Sequence, residues 1–283
     1  MSKLPLIVYT PDSLLSNPFR MGREMWRDLV AGQGLAWRLT VRDLSAQYRQ
    51  AFLGFLWVII LPLANTLVWL FLSHSGVVNV SKTPMPYPVY VFTGTMLWAI
   101  LIDALNAPLR IVTASKSMLA KINFPREALV LSGIYQTLVN ALVKVALLLV
   151  ALLVMHIHPG WGLLLFPVAM LSLVLAGTLI GVALTPVGLL YTDIGKTIPL
   201  LAQFLMYFSP VVFAMPKSGL TATLFQLNPL TPLILTARDW LTGQAPEYLG
   251  YFMAVNVASI FLLFIFWIVF RLAMPILIER MGS

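Results

Sequence analysis

The chain has 283 residues; 60% are hydrophobic, only 10% are charged, and the mean hydropathy is +0.90. A water-soluble domain carries about 25% charged residues, so this composition excludes a soluble globular fold and places the chain in lipid. The net charge of +8 sits beside apolar runs, which reads as membrane topology rather than nucleic-acid binding, and the absence of cysteine excludes disulfides and thiolate metal sites.

The first 51 residues read as a cytoplasmic amino-terminal segment. Trp37, Val41, Leu44 and Tyr48 recur at i, i+4, i+7 and i+11, one stripe of a helix, with Arg38, Arg42 and Arg49 off it. This predicts an amphipathic helix lying in the membrane interface. The segment lacks an uninterrupted apolar core and holds several arginines, so no cleavable signal peptide is expected.

Residues 52–272 read as an all-α transmembrane domain. Crossing a hydrocarbon core of about 30 Å takes about 20 apolar residues. Six stretches qualify, about 53–72, 89–109, 128–155, 163–190, 198–215 and 251–270, and residues 273–283 follow as a cytoplasmic tail. The fifth contains Pro210 and is short, so a broken or re-entrant span is expected there. Fourteen Lys and Arg residues flank one side of these spans, against Lys82, Lys217 and Arg238 on the other. The positive-inside rule then puts both termini in the cytoplasm of a multi-pass inner-membrane protein.

Two links stand out. Residues 110–127 mix Lys116, Lys121 and Arg126 with Ile111, Met118, Leu119, Ile122 and Phe124, as a short cytoplasmic helix ending before Pro125 would. A solvated basic loop is the plainer alternative. The outer link, 216–250, carries Leu230, Leu233, Ile234, Ala237 and Leu241 at helical spacing behind Pro229 and Pro232, which suits one or two short helices dipping into the outer leaflet.

No catalytic constellation is found. Gly195-Lys196-Thr197 resembles the end of a phosphate-binding loop, but Leu190 stands where that motif needs glycine. Any ATP is therefore expected to be bound by a partner. His156 and His158 are two apart, no helical ligand spacing, and no metal is expected. Asp103 and Lys144 lie within apolar spans, where charge costs at least about 2.5 kcal/mol. Their depths differ by about ten residues, roughly 15 Å of helix, so a direct bridge is not expected. Asp103 is expected to reach Arg110 or cytoplasmic water, and Lys144 to snorkel outward or line a channel. With one intramembrane acid, the chain lacks the several coupling carboxylates of an ion-driven transporter, which remains the competing class.

Particular runs carry a family resemblance. Tyr48-Arg49-Gln50-Ala51-Phe52-Leu53-Gly54-Phe55-Leu56-Trp57 with Pro62, then Asn123-Phe124-Pro125-Arg126-Glu127, Tyr191-Thr192-Asp193-Ile194, Ser209-Pro210 and Leu227-Asn228-Pro229-Leu230-Thr231-Pro232 occur in order. Together they are similar to type-2 ABC exporter permeases of the polysaccharide and polyol-phosphate export family, which serve O-antigen, capsule and teichoic acid export. Thr192 departs from the arginine common there.

The resemblance implies a homodimer docked on two cytoplasmic ATPase subunits that bind ATP and Mg, moving a lipid-linked glycan outward. It points to Arg42, Arg49, Lys116, Lys121, Phe124, Pro125, Arg126, Glu127 and Asp193 for ATPase docking or coupling, and to Pro229 and Pro232 for an outer gate. Aromatic faces stack on the C–H face of sugars, so Trp57, Trp69, Phe71, Tyr207, Phe208 and Phe213 are the expected channel lining. An exporter of drugs or small lipids would share this plan.

Overall fold

The computed structural model describes residues 18–49, 56–77, 83–119, 126–216 and 218–282. All regular structure among the described residues is helical. In chain order it comprises α1 (Pro18–Arg49), α2 (Trp57–His74), α3 (Tyr87–Ala114), α4 (Lys116–Leu119), α5 (Glu127–Val154), α6 (Phe166–Leu190), α7 (Thr192–Tyr207), α8 (Leu220–Leu227), α9 (Leu230–Thr242) and α10 (Leu249–Gly282).

Helix α3 is the centre of the bundle. It starts behind Pro86 with Pro88 in its first turn, where a missing N–H leaves no hydrogen bond unmade. On α6, Gly177 and Gly181 stand where a Cβ would come within 2.4 Å of the Leu101 carbonyl oxygen and 2.3 Å of that of Leu105. Two glycines one turn apart thus let the backbones of α6 and α3 touch, the close packing that helices use where lipid supplies no hydrophobic drive. Around this contact Leu97, Leu101, Leu148, Leu173, Ile234 and Phe252 form the main apolar core.

Among the described residues, four helical segments are long and apolar enough to cross a membrane: α3, α5, α6 and residues Leu249–Leu277 of α10. Their outward faces are apolar, with Leu142, Val150 and Leu153 on α5 and Met253, Val257 and Phe261 on α10 all exposed. Helix α2 is a shorter apolar helix over Ile59–His74. Residues 50–55, where the first expected span begins, lie outside the described residues.

The fifth expected span is displaced. Tyr191 is extended, with φ −120° and ψ 109°, which ends α6 and lets α7 start at Thr192. Helix α7 then stops at Tyr207, and residues 208–213 form turns around Pro210. Its 16 residues span about 24 Å, less than a hydrocarbon core. The outer link folds as two short helices, α8 and α9, with Pro229 at the cap of α9.

Helix α1 packs along α5 through a face that periodicity did not single out. Its buried residues are Met25, Gly32, Ala36, Leu39 and Thr40, while Trp37 and Val41 of the expected stripe are exposed. The side chains of Tyr48 and Arg49 lie outside the described residues.

Candidate functional site

Polar groups gather at three levels of this bundle. At the basic end, the Arg271 guanidinium of α10 donates from Nη1 to Glu127 Oε1 at 2.6 Å and from Nη2 to Asp28 Oδ2 at 2.7 Å. One cation thereby ties the start of α5 and the middle of α1 to α10. The other Asp28 oxygen faces Arg27 Nε at 3.7 Å. Further along, Thr40 Oγ1 donates to Ala36 O at 2.8 Å and lies 3.2 Å from Ser132 Oγ. Gln136 donates to Asp43 Oδ2 at 3.2 Å and accepts from Arg110 Nη2 at 3.3 Å. Trp37 meets Tyr135 edge to face at 6.2 Å. These contacts run over four turns of α1, so α1 and the first half of α5 form one surface.

At mid-bundle, Lys144 of α5 donates directly to the Asp103 carboxylate of α3, and also lies 3.4 Å from the Ala99 carbonyl oxygen. The sequence argument expected no bridge here, and helix ends explain the difference. Helix α3 continues to Ala114, eleven residues past Asp103, rather than stopping near residue 109. Lys144 lies seventeen residues into α5. The axial offset falls from about 15 Å to about 9 Å, which a flexible lysine stem and a small stagger of antiparallel helices close. Arg110 turns to Gln136 instead.

At the far end, Arg238 of α9 is 1% exposed, and its hydrogen bonds go to carbonyl oxygens and one hydroxyl. Nη1 donates to Pro210 O at 2.8 Å, Nη2 to Val211 O at 3.0 Å and to Tyr90 O at 3.4 Å, and Nε to Thr93 Oγ1 at 3.4 Å. Its Cζ stands 3.7 Å from the Tyr90 ring centroid, a cation–π contact. The Tyr90 hydroxyl in turn donates to Phe213 O at 3.0 Å. Helix α7 breaks at Pro210, which frees backbone carbonyls in the interior, and the guanidinium satisfies them. Gly94 makes room: a Cβ there would fall 2.1 Å from Val211 O and 2.4 Å from Arg238 Nη2. Asn228 completes the joint, donating to Phe208 O at 2.8 Å and Ser209 Oγ at 2.9 Å while its Oδ1 accepts from Leu230 N at 2.9 Å. The Ser209-Pro210 and Asn228-Pro229 elements thus meet in space.

The sequence-derived residues divide as follows. Trp69 stands edge to face with Tyr207 at 6.0 Å and Phe213 at 5.4 Å, so three expected lining residues come together beside the α7 break. Trp57, Phe71 and Phe208 are exposed and form no ring pair among the described residues. Pro232 is buried and Pro229 caps α9. Of the expected docking residues, Arg42 is exposed beside Asp43 at 2.7 Å, Asp193 is exposed, and Lys116 and Arg126 are half-buried. Glu127 is 4% exposed and held by Arg271. Lys121, Phe124, Pro125 and the Arg49 side chain lie outside the described residues. Arg271 and Arg238 were missed as site residues, since both were read as loop charges. The signal for Arg238 was a lone cation at i+4 and i+5 from Ile234 and Leu233 on an apolar helical face.

No family model matches the chain. It is 26% identical over 211 residues to the O-antigen export system permease protein RfbA of Myxococcus xanthus, covering 74% of this chain and 80% of that protein. To the protein of the same name from Klebsiella pneumoniae it is 23% identical over 218 residues, 74% and 81% of the two chains. To the polysialic acid transport protein KpsM of Escherichia coli it is 21% identical over 236 residues, 80% and 86%. These relatives belong to the type-2 ABC exporter permeases, the group that the chain's sequence elements resemble.

Proposed function

We propose that the chain is the membrane-spanning permease subunit of an ATP-driven exporter of cell-surface polysaccharide, with a lipid-linked O-antigen as its substrate and a capsule glycan as the nearest alternative. The observation that carries this reading is likeness to named polysaccharide-export permeases over about four fifths of their length. Relatives named for O-antigen export stand beside one named for polysialic acid transport, which supports glycan rather than drug as cargo.

In this reading the chain works as a homodimer, crosses the membrane six times, and keeps its basic end and both termini in the cytoplasm. Two ATPase subunits dock against α1, the link 115–126 and the start of α7, a reading supported by the exposed Arg42, the half-buried Lys116 and the exposed Asp193 on these three segments. ATP and Mg belong to those partners. Glycan passes along the aromatic group of Trp69, Tyr207 and Phe213, and the turn after α7 with α8 and α9 closes the outer side. The test is deletion of the chain: lipid-linked glycan accumulates inside the cells, surface glycan disappears, and the tagged chain co-purifies with an ATPase subunit in equal numbers. Normal surface glycan after deletion would overturn the reading.

A further inference from the structure

Arg271 bonds at once to two separate elements at the basic end, Asp28 on α1 and Glu127 at the start of α5. Glu127 is 4% exposed, and the side chains of Arg271 and Asp28 are 16% and 25% exposed. The three charges are therefore shielded from water and ions, where a guanidinium fork between two carboxylates is directional as well as attractive. With Arg27 beside Asp28 the four groups are charge-balanced. Removing Arg271 takes the cation from the buried Glu127 and cuts Asp28 off from α10, so the joint depends on this one residue.

Geometry gives the joint a mechanical meaning. Helix α5 begins at Glu127 directly after the basic link, α1 is bonded to α5 through Thr40 and Asp43, and its Asp28 is bonded to α10. Helix α10 packs along α6, whose glycines touch the α3 backbone. We infer that Arg271 is a positioning residue for transport, clamping α1, the start of α5 and α10 into one body so that displacement at the basic end is carried into the last membrane helix. The force that the clamp would carry rests on the function proposed above; the clamp itself does not.

The chain has no cysteine, so paired labels report cleanly. Spin labels on Gln33→Cys in α1 and Ile276→Cys in α10, both exposed, measure the separation of the two helices in the full-length protein. With the labelled chain diluted in excess unlabelled chain, so that a dimer carries one labelled copy, one narrow distance distribution is expected, unchanged when ATP is added to the exporter complex. Arg271→Gln and Glu127→Gln should each broaden or split it, and combining them should add nothing further. Arg271→Lys should narrow it again in part, because an ammonium still places a positive charge between the two carboxylates. A distribution as narrow in Arg271→Gln as in the parent overturns the clamp.

In cells, Arg271→Gln should lower surface polysaccharide at least about fivefold while ATP hydrolysis by the purified complex stays within about twofold. A proportional fall in both, or in neither, overturns the positioning role. If Arg271→Gln does not reach the membrane, Asp28→Asn and Glu127→Gln, which each leave Arg271 one carboxylate, take its place under the same criteria. If no ATPase co-purifies with the chain, the proposed function fails and the label distances still judge the clamp.

Discussion

Arg271 and Arg238 sit at opposite ends of one bundle, and each guanidinium joins three pieces of chain. Arg271 joins α10, α5 and α1 through two carboxylates. Arg238 joins α9, α3 and the turn after α7 through carbonyl oxygens, one hydroxyl and an aromatic ring. The first joint is an ion pair whose partners can be exchanged. The second is a cage built from backbone, and no substitution can move a backbone carbonyl onto another residue. Charge pairing therefore suits a joint between rigid helices, while a fork of N–H donors suits a place where a helix breaks and leaves carbonyls unmade.

The sharpest test of that contrast is Arg238→Leu. It strands the Val211 carbonyl, leaves Pro210 O only the Tyr90 hydroxyl at 3.2 Å and loses the contact with the Tyr90 ring, and should cost about 3–4 kcal/mol, since each unmet buried group costs about 1–3 kcal/mol. Thermal unfolding in detergent, followed by loss of monodisperse protein, would show it. Arg238→Lys should recover little, because a point ammonium cannot span four acceptors; full recovery would erase the distinction between the two joints. Gly94→Ala comes next, at about 2–3 kcal/mol, because the added methyl meets Val211 O and the guanidinium with nowhere to go.

The mid-bundle pair behaves like the ionic joint. Asp103→Leu leaves Lys144 buried without its acid and should destabilise by about 2 kcal/mol, moderated by the partial exposure of Asp103. Adding Lys144→Met should restore most of that loss, and an additive double variant would show the two residues to be independent. Thr40→Val removes the α1–α5 hydroxyl bonds for about 1 kcal/mol. Smallest is Arg42→Ala, whose exposed pair with Asp43 should shift stability by less than about 0.5 kcal/mol. Reduced recovery of the ATPase partner with that variant, at unchanged stability, would mark Arg42 as a docking residue.

Much of the helical plan is legible in the sequence. The long apolar runs become α3, α5, α6 and α10, and Pro210 and the Pro229 region mark the break and the short-helix start that the structure shows. The helix ends are less legible. Arg110 ends the apolar run but not the helix, so α3 continues to Ala114 and brings Asp103 down to Lys144. Arg238 looked like an exposed cation in an outer link because composition counts a charge without knowing what covers it. Glu127 looked like a surface residue because it neighbours lysines and an arginine in the chain, yet its partner lies 144 residues away.

What the amino-acid sequence determined by itself is where helix and lipid are favourable: both depend on runs of near neighbours, through backbone hydrogen bonding within a segment and the transfer of its side chains from water. What only the tertiary structure decided is which charges are buried and by whom they are satisfied. That depends on the stagger between helices distant in sequence, set here by the Gly177 and Gly181 contact with α3 and by the break after α7. An arginine on an apolar helix is a cost until a carbonyl cage or a carboxylate from another segment meets it, and no local pattern records that meeting.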